Sequence, residues 1–228
     1  LYDTYGFPLD LTQDALRARG MTVDTDAFET AMEGQRDAAR ANWKGSGEAA
    51  PDAVWFGVRD RLGKTEFLGY DCHAEKGELT AIVAGGAEQD RLEAGQSGEL
   101  VFDRTPFYAE SGGQIADAGI IGGDGSHLVV KDVQRPVKGL VAHTVEVVTG
   151  PLRVGTEVEA EVDPQWRIDA CQAHSGTHVV HAALRQVLGP SALQSGSYNK
   201  PGYLRLDFAW NSALSPQTRS EIEEVANL

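Results

Sequence analysis

From residue 157 to 162 apolar and acidic side chains alternate without a break, Val158, Ala160 and Val162 against Glu157, Glu159 and Glu161. A period of two predicts a strand with one buried and one wet face. Shorter apolar runs at 79–83, 99–102, 128–133 and 140–148, punctuated by Gly85-Gly86 and Gly122-Gly123-Asp124-Gly125, extend this signal over 66–163. Several short strands so spaced predict a small antiparallel barrel. On either side the period lengthens. Residues 1–46 read as a helical hairpin, with capping patterns at Asp10-Leu11-Thr12-Gln13 and Asp26-Ala27-Phe28-Glu29 and a stop at Gly20. Residues 47–65 open with Gly47-Glu48-Ala49-Ala50-Pro51-Asp52 and read as a linker.

After the barrel, Ile168, Cys171, His178, His181, Leu184 and Leu188 recur at helical spacing, with Pro164 near the start and Gly189-Pro190 as the stop. A hairpin-like stretch at 194–208 and a further helix at 218–228 complete the region 164–228. The chain is therefore expected in the α+β class. The sequence contains neither an internal repeat nor a low-complexity tract.

Composition narrows the function. A chain of 228 residues can bury a proper core, and two cysteines do not make a disulfide framework. No run of apolar residues is long enough to span a bilayer, so the cytoplasm is the expected compartment. A formal net charge of −14 repels phosphates and excludes indiscriminate nucleic-acid binding. Any RNA contact must use a local patch, for which Arg167, Arg185, Lys200 and Arg205 are the candidates.

The densest chemistry lies in His174-Ser175-Gly176-Thr177-His178-Val179-Val180-His181. Positions four apart are neighbours on a helix, so His174 and His178 can aim their ring nitrogens at one ion. The same spacing also suits hydrogen-bonded core histidines, and both readings stand at this point. A metalloprotease is excluded, because its general base follows the first His directly and Ser175 stands there. Zinc wants three or four protein ligands. Cys171 could join the same face or simply pack, Cys72 lies far away in sequence, and His181, one turn further on, reads as structural. Two polar clusters remain. Phe107-Tyr108-Ala109-Glu110-Ser111-Gly112-Gly113-Gln114 reads as a tight turn or as a backbone that approaches a ligand closely, and Gln194-Ser195-Gly196-Ser197 as a polar turn.

Leu1-Tyr2-Asp3-Thr4-Tyr5-Gly6-Phe7-Pro8-Leu9-Asp10-Leu11-Thr12, then Asp103-Arg104-Thr105-Pro106 running on through Gln114, then His174-Ser175-Gly176-Thr177-His178 with His181-Ala182-Ala183-Leu184-Arg185, and finally Leu204-Arg205-Leu206-Asp207-Phe208 are four motifs that, in this order, resemble the alanyl-tRNA synthetase family. The resemblance spans essentially the whole chain. It implies that 1–46 ends a helical tRNA-recognition region, and that 66–163 and 164–228 form the barrel and a truncated α/β core of an editing domain shared with threonyl-tRNA synthetase. That domain hydrolyses serine or glycine wrongly esterified to the alanine tRNA, its partner.

The family pattern binds zinc through two histidines, here His174 and His178, and through a later Cys-x-x-x-His, which does not follow in this sequence. It assigns substrate recognition and catalysis to the positions of Thr177 and Gln194. ATP and Mg²⁺ serve an adenylation domain that nothing in these residues resembles. Gly176, Ala173, Ser195 and Ala209-Trp210 depart from the usual Ala, Asn, Lys and Ser-His. Two other expectations are compatible with the same residues: a tRNA-binding or structural segment, inert with half a metal site, and a free-standing editing hydrolase, which the opening motif disfavours.

Overall fold

The computed structural model describes residues 53–228, together with Leu16, residues 20–25 and Ala27. The chain divides into two units, 1–50 and 51–228. Most of the expected hairpin at 1–46, and the linker composition at 47–52, lie outside the described residues. Within the first unit Gly20 takes a φ of +68°, as a glycine ending a helix does, and Met21 N donates to Leu16 O. The Asp24 carboxylate accepts from Ala27 N at 2.9 Å, so the second helix is capped at Asp24, two residues before the Asp26 expected from sequence.

The second unit opens with α1 (Ala53–Leu62), inside the stretch 47–65 that composition marks as a linker. Gly and Pro upstream obscure a short helix whose buried residues are only Trp55 and Val58. The strands follow: β1 (Glu66–Phe67), β2 (Ala74–Ala84), β3 (Ala87–Gln89), β4 (Arg91–Leu92), β5 (Ser97–Phe102), β6 (Arg104–Thr105), β7 (Gly119–Gly123), β8 (Ser126–Gln134), β9 (Ala142–Thr149), β10 (Leu152–Arg153) and β11 (Glu157–Val162). Strands β11, β7, β8, β9, β5 and β2 pair antiparallel in that order. Pairing of β11 with β2 closes the ring, leaving β3 as an added edge. Closure removes the free edges that an open sheet would expose.

β11 realises the expected alternation, with Val158, Ala160 and Val162 buried and the three glutamates exposed. β2 does not alternate simply. A register shift between Leu79 and Ala81 turns the strand over, so Leu79 and Ile82 enter the barrel while Ala81 and Val83 face outward against Trp55 and Val58. Burial on both faces explains why 79–83 reads as a nearly continuous apolar run. Leu100, Phe102, Phe107, Ile121, Leu128 and Leu152 fill the barrel interior. The glycine pairs prove to be part of the sheet. Gly85 and Gly86, at φ +62° and +78°, make the two-residue turn from β2 to β3, while Gly122 and Gly123 lie within β7 and Asp124-Gly125, at φ +50° and +79°, turns it into β8.

Asp163 alone separates β11 from α2 (Pro164–Leu188). Its carboxylate caps the helix through Gln165 N at 2.9 Å and Trp166 N at 3.1 Å, and its own N–H donates to Ala118 O. Gly189 ends the helix, as expected. The buried stripe runs through Arg167, Ala170, Ala173, Thr177, Ala183 and Leu184, whereas Ile168 and Cys171 are exposed. Small residues make up most of the buried stripe, and of the positions read from sequence only Leu184 belongs to it. The hairpin β12 (Gln194–Lys200) and β13 (Tyr203–Phe208) packs on α2, and α3 (Pro216–Ala226) follows, with Ile222 against Ala183 and Leu184. Gln194 to Ser197 is therefore strand, with a bulge between Gln194 and Gly196, rather than a turn.

Candidate functional site

The loop between β6 and β7 is held to α2 by a buried ion pair. Arg167 Nε lies 2.8 and 2.9 Å from the two Asp117 oxygens, and its other nitrogens donate to Gly69 O at 2.6 Å and Pro106 O at 2.8 Å. Asp117 also accepts from Tyr108 N at 2.6 Å, and Trp166 Nε1 donates to Ala116 O. Desolvation of this pair is offset because the hydrogen-bonding groups around it find partners. Arg167 consequently leaves the basic patch anticipated from sequence, and Arg205 is paired with Asp207.

The tip of the same loop reaches β12. Asn199 N donates to Gly113 O at 2.7 Å and Ile115 N to Asn199 O at 2.9 Å. A Cβ at Gly113 would stand 2.2 Å from Ser197 Oγ, and its φ is +79°, so both space and backbone require glycine there. This close approach delivers Gln114, 5% exposed, against α2. Its Oε1 lies 2.9 Å from His174 Nδ1, and its Nε2 lies 3.9 Å from Cys171 Sγ.

His174 and His178 stack on one face of α2, centroids 5.1 Å apart and planes at 27°. With Gln114, Cys171 and Ser175 they line a shallow cleft. Burial, and then the neighbouring His178, hold the His174 pKa below the ordinary imidazole value. Two imidazoles bound at about 2.0–2.1 Å to one tetrahedral zinc hold their centroids roughly 5 Å apart, so the spacing of the pair is that of two donors to such an ion. Among the described residues no third His, Cys, Asp or Glu completes a metal-holding group with them.

Thr177 is 1% exposed and points to the hairpin rather than into the cleft. Its hydroxyl has one proton and two acceptors near it, Ala173 O at 3.1 Å and Asn199 Oδ1 at 2.5 Å, while Asn199 Nδ2 is buried without a partner. Turning the Asn199 amide over pairs its NH₂ with Thr177 Oγ1 and frees the hydroxyl proton for Ala173, leaving the amide oxygen in the buried position without a partner. Gln194 is exposed at the start of β12 and donates to Ser197 Oγ at 3.2 Å. His181 Nε2 lies 3.2 Å from Ala192 O, outside the cleft. Cys72 Sγ lies 3.6 Å from Leu68 O, also outside the cleft-lining set. Sequence reasoning singled out the loop containing Gln114 but not that residue's reach to His174. The signal was the Gly-Gly pair before it, which permits the close approach.

Residues 1–166 match the family described as tRNA synthetases class II (A). The chain belongs to this family. Over its whole length it is 51% identical to the alanine-tRNA ligase of Clavibacter sepedonicus, 49% to that of Rhodopseudomonas palustris and 48% to that of Bradyrhizobium diazoefficiens. It spans 26% of the length of each of these relatives. No helix of the described residues is long and apolar enough to cross a membrane.

Proposed function

We propose that this chain is the editing portion of an alanine-tRNA ligase, a cytoplasmic enzyme that joins alanine to its tRNA at the expense of ATP. In that enzyme it hydrolyses the ester of serine or glycine on the alanine tRNA. The observation that carries this reading is the imidazole pair His174 and His178, stacked 5.1 Å apart and lining one cleft with Gln114. An alanine pocket cannot exclude glycine by size and rejects serine's extra hydroxyl only weakly, so a second, hydrolytic sieve is needed. Zinc held by His174 and His178 would, when bound, anchor the amino group or the terminal ribose of the substrate or polarise a water.

The chain's own groups do the rest. Gln194, exposed and anchored to Ser197, orients a water but is not basic enough to deprotonate it. Thr177 spends its hydroxyl on Ala173 and Asn199, so it bears on substrate by fixing β12 against α2. The absence of a third ligand among the described residues favours a second reading for the 228 residues taken alone: weak zinc binding and weak deacylation.

The test is deacylation of serine-charged alanine tRNA by the full-length enzyme and its His174→Ala and His178→Ala variants. Each replacement should cut serine release by about 10²-fold or more, the scale on which second-shell changes already cost 10–100-fold, while alanine charging is retained. Deacylation undiminished in both variants would overturn the proposal.

A further inference from the structure

We propose that Gln114 is a positioning residue that fixes the tautomer of His174, placing the imidazole proton on Nδ1 and leaving the Nε2 lone pair free for an electrophile in the cleft. This deepens the zinc-dependent reading above and rests on it only for the identity of the electrophile. An amide oxygen can only accept, so a hydrogen bond between Gln114 Oε1 and His174 Nδ1, 2.9 Å apart, requires the proton to sit on Nδ1. The other end of the amide agrees: Nε2, a donor, faces the Cys171 sulfur, a weak acceptor, at 3.9 Å. A neutral imidazole so engaged keeps its second nitrogen unprotonated, the form in which histidine serves as a metal ligand.

The amide is built into place. Ser111 and Gln114 bond each other's backbones at 3.2 and 3.0 Å, closing the turn. Gly113 O and Asn199 O then seat that turn on β12 from both sides of Gln114. Gly112, at φ +60°, passes His174 with room for no more than van der Waals contact: a Cβ there would meet Cε1 at 3.8 Å. The glycine pair thus brings an amide to one ring nitrogen at hydrogen-bond distance, and α2 presents Cys171 and His174, three residues apart, to its two ends.

The test reads the ring directly. In the 228-residue chain with ¹⁵N-labelled histidine, above the imidazole titration range at about pH 8, long-range ¹H–¹⁵N correlations report which nitrogen of His174 bears the proton. We expect a protonated Nδ1 and a bare Nε2. Gln114→Met should mix the two tautomers, Gln114→Glu should restore the wild-type pattern through its carboxylate oxygen, and Gly113→Ala should reproduce the Met variant by lifting the loop from Ser197. In the full-length protein Gln114→Met should weaken zinc binding at least tenfold in competition with a chelator. A proton on Nε2 in the wild type, or a Met variant with unchanged tautomer and zinc affinity, would overturn the proposal. Deacylation that survives loss of both histidines would overturn the editing reading instead and leave the tautomer result standing.

Discussion

Arg167 and Asp117, fifty positions apart in sequence, meet in a buried fork that ties the first turn of α2 to the loop carrying Gln114. Because Arg167 also reaches Gly69 O and Pro106 O, removal of either partner strands several groups at once. We expect Arg167→Met or Asp117→Ala to cost about 3–5 kcal/mol, the range for breaking a buried pair one-sidedly. Urea unfolding measures it. A cost below about 1 kcal/mol, as for surface pairs, would refute this account.

His143 sets the response to acid. It is wholly buried, with Nδ1 3.0 Å from Leu100 O and Nε2 2.8 Å from Thr105 Oγ1, and burial pushes its pKa down to about 4. Leu100 O takes the ring proton, and Nε2 accepts from the Thr105 hydroxyl, which in turn accepts from Phe107 N. Only the neutral ring satisfies this chain. The unfolded state binds a proton near pH 6.5 and the folded state does not until about 4. Stability is therefore intact above the unfolded value, falls as pH drops between the two, and levels off below, for a total of about 3 kcal/mol. Denaturation midpoints across this window should show the slope, and His143→Gln should flatten it.

Thr177 and Asn199 form a buried pair whose rupture has a chemical signature. Thr177→Val keeps the shape but leaves the Asn199 amide with no side-chain partner, at a cost of about 1–3 kcal/mol. Thr177→Ser retains the hydroxyl and should cost less than half as much. Equal losses by thermal unfolding would mean that the methyl, not the hydroxyl, matters.

Gly176 lies mid-helix in α2, where glycine costs roughly 1 kcal/mol against alanine. A Cβ would meet only Leu204 Cδ2, at 3.2 Å, the end of a flexible side chain. Gly176→Ala should therefore stabilise the chain, by about 0.5 kcal/mol once Leu204 has shifted. A destabilised variant in chemical denaturation would show that Leu204 cannot yield.

Much of this was legible in the sequence because it is local. The alternation at 157–162, the Pro164 start and Gly189 stop of α2, and the hairpin at 194–208 each depend on neighbours along the chain. The misses are long-range. α1 could not be read at 53–62 because its burial depends on β2, β5 and β9, which face it from elsewhere. Arg167 looked like a surface cation because nothing near it in sequence announces Asp117. At the site, His174 and His178 followed from helical spacing, whereas Gln114 and Asn199 come from other elements and only the fold brings them in.

The single residue between β11 and α2 leaves the histidine helix no slack: Asp163 bonds the barrel with its amide and the helix with its carboxylate. Such a joint acts as a welded corner. One wall of the cleft is cast in one piece with the barrel. The wall facing it is Gln114, carried on the loop between β6 and β7, so accommodation of whatever enters falls to that loop and its seat on β12.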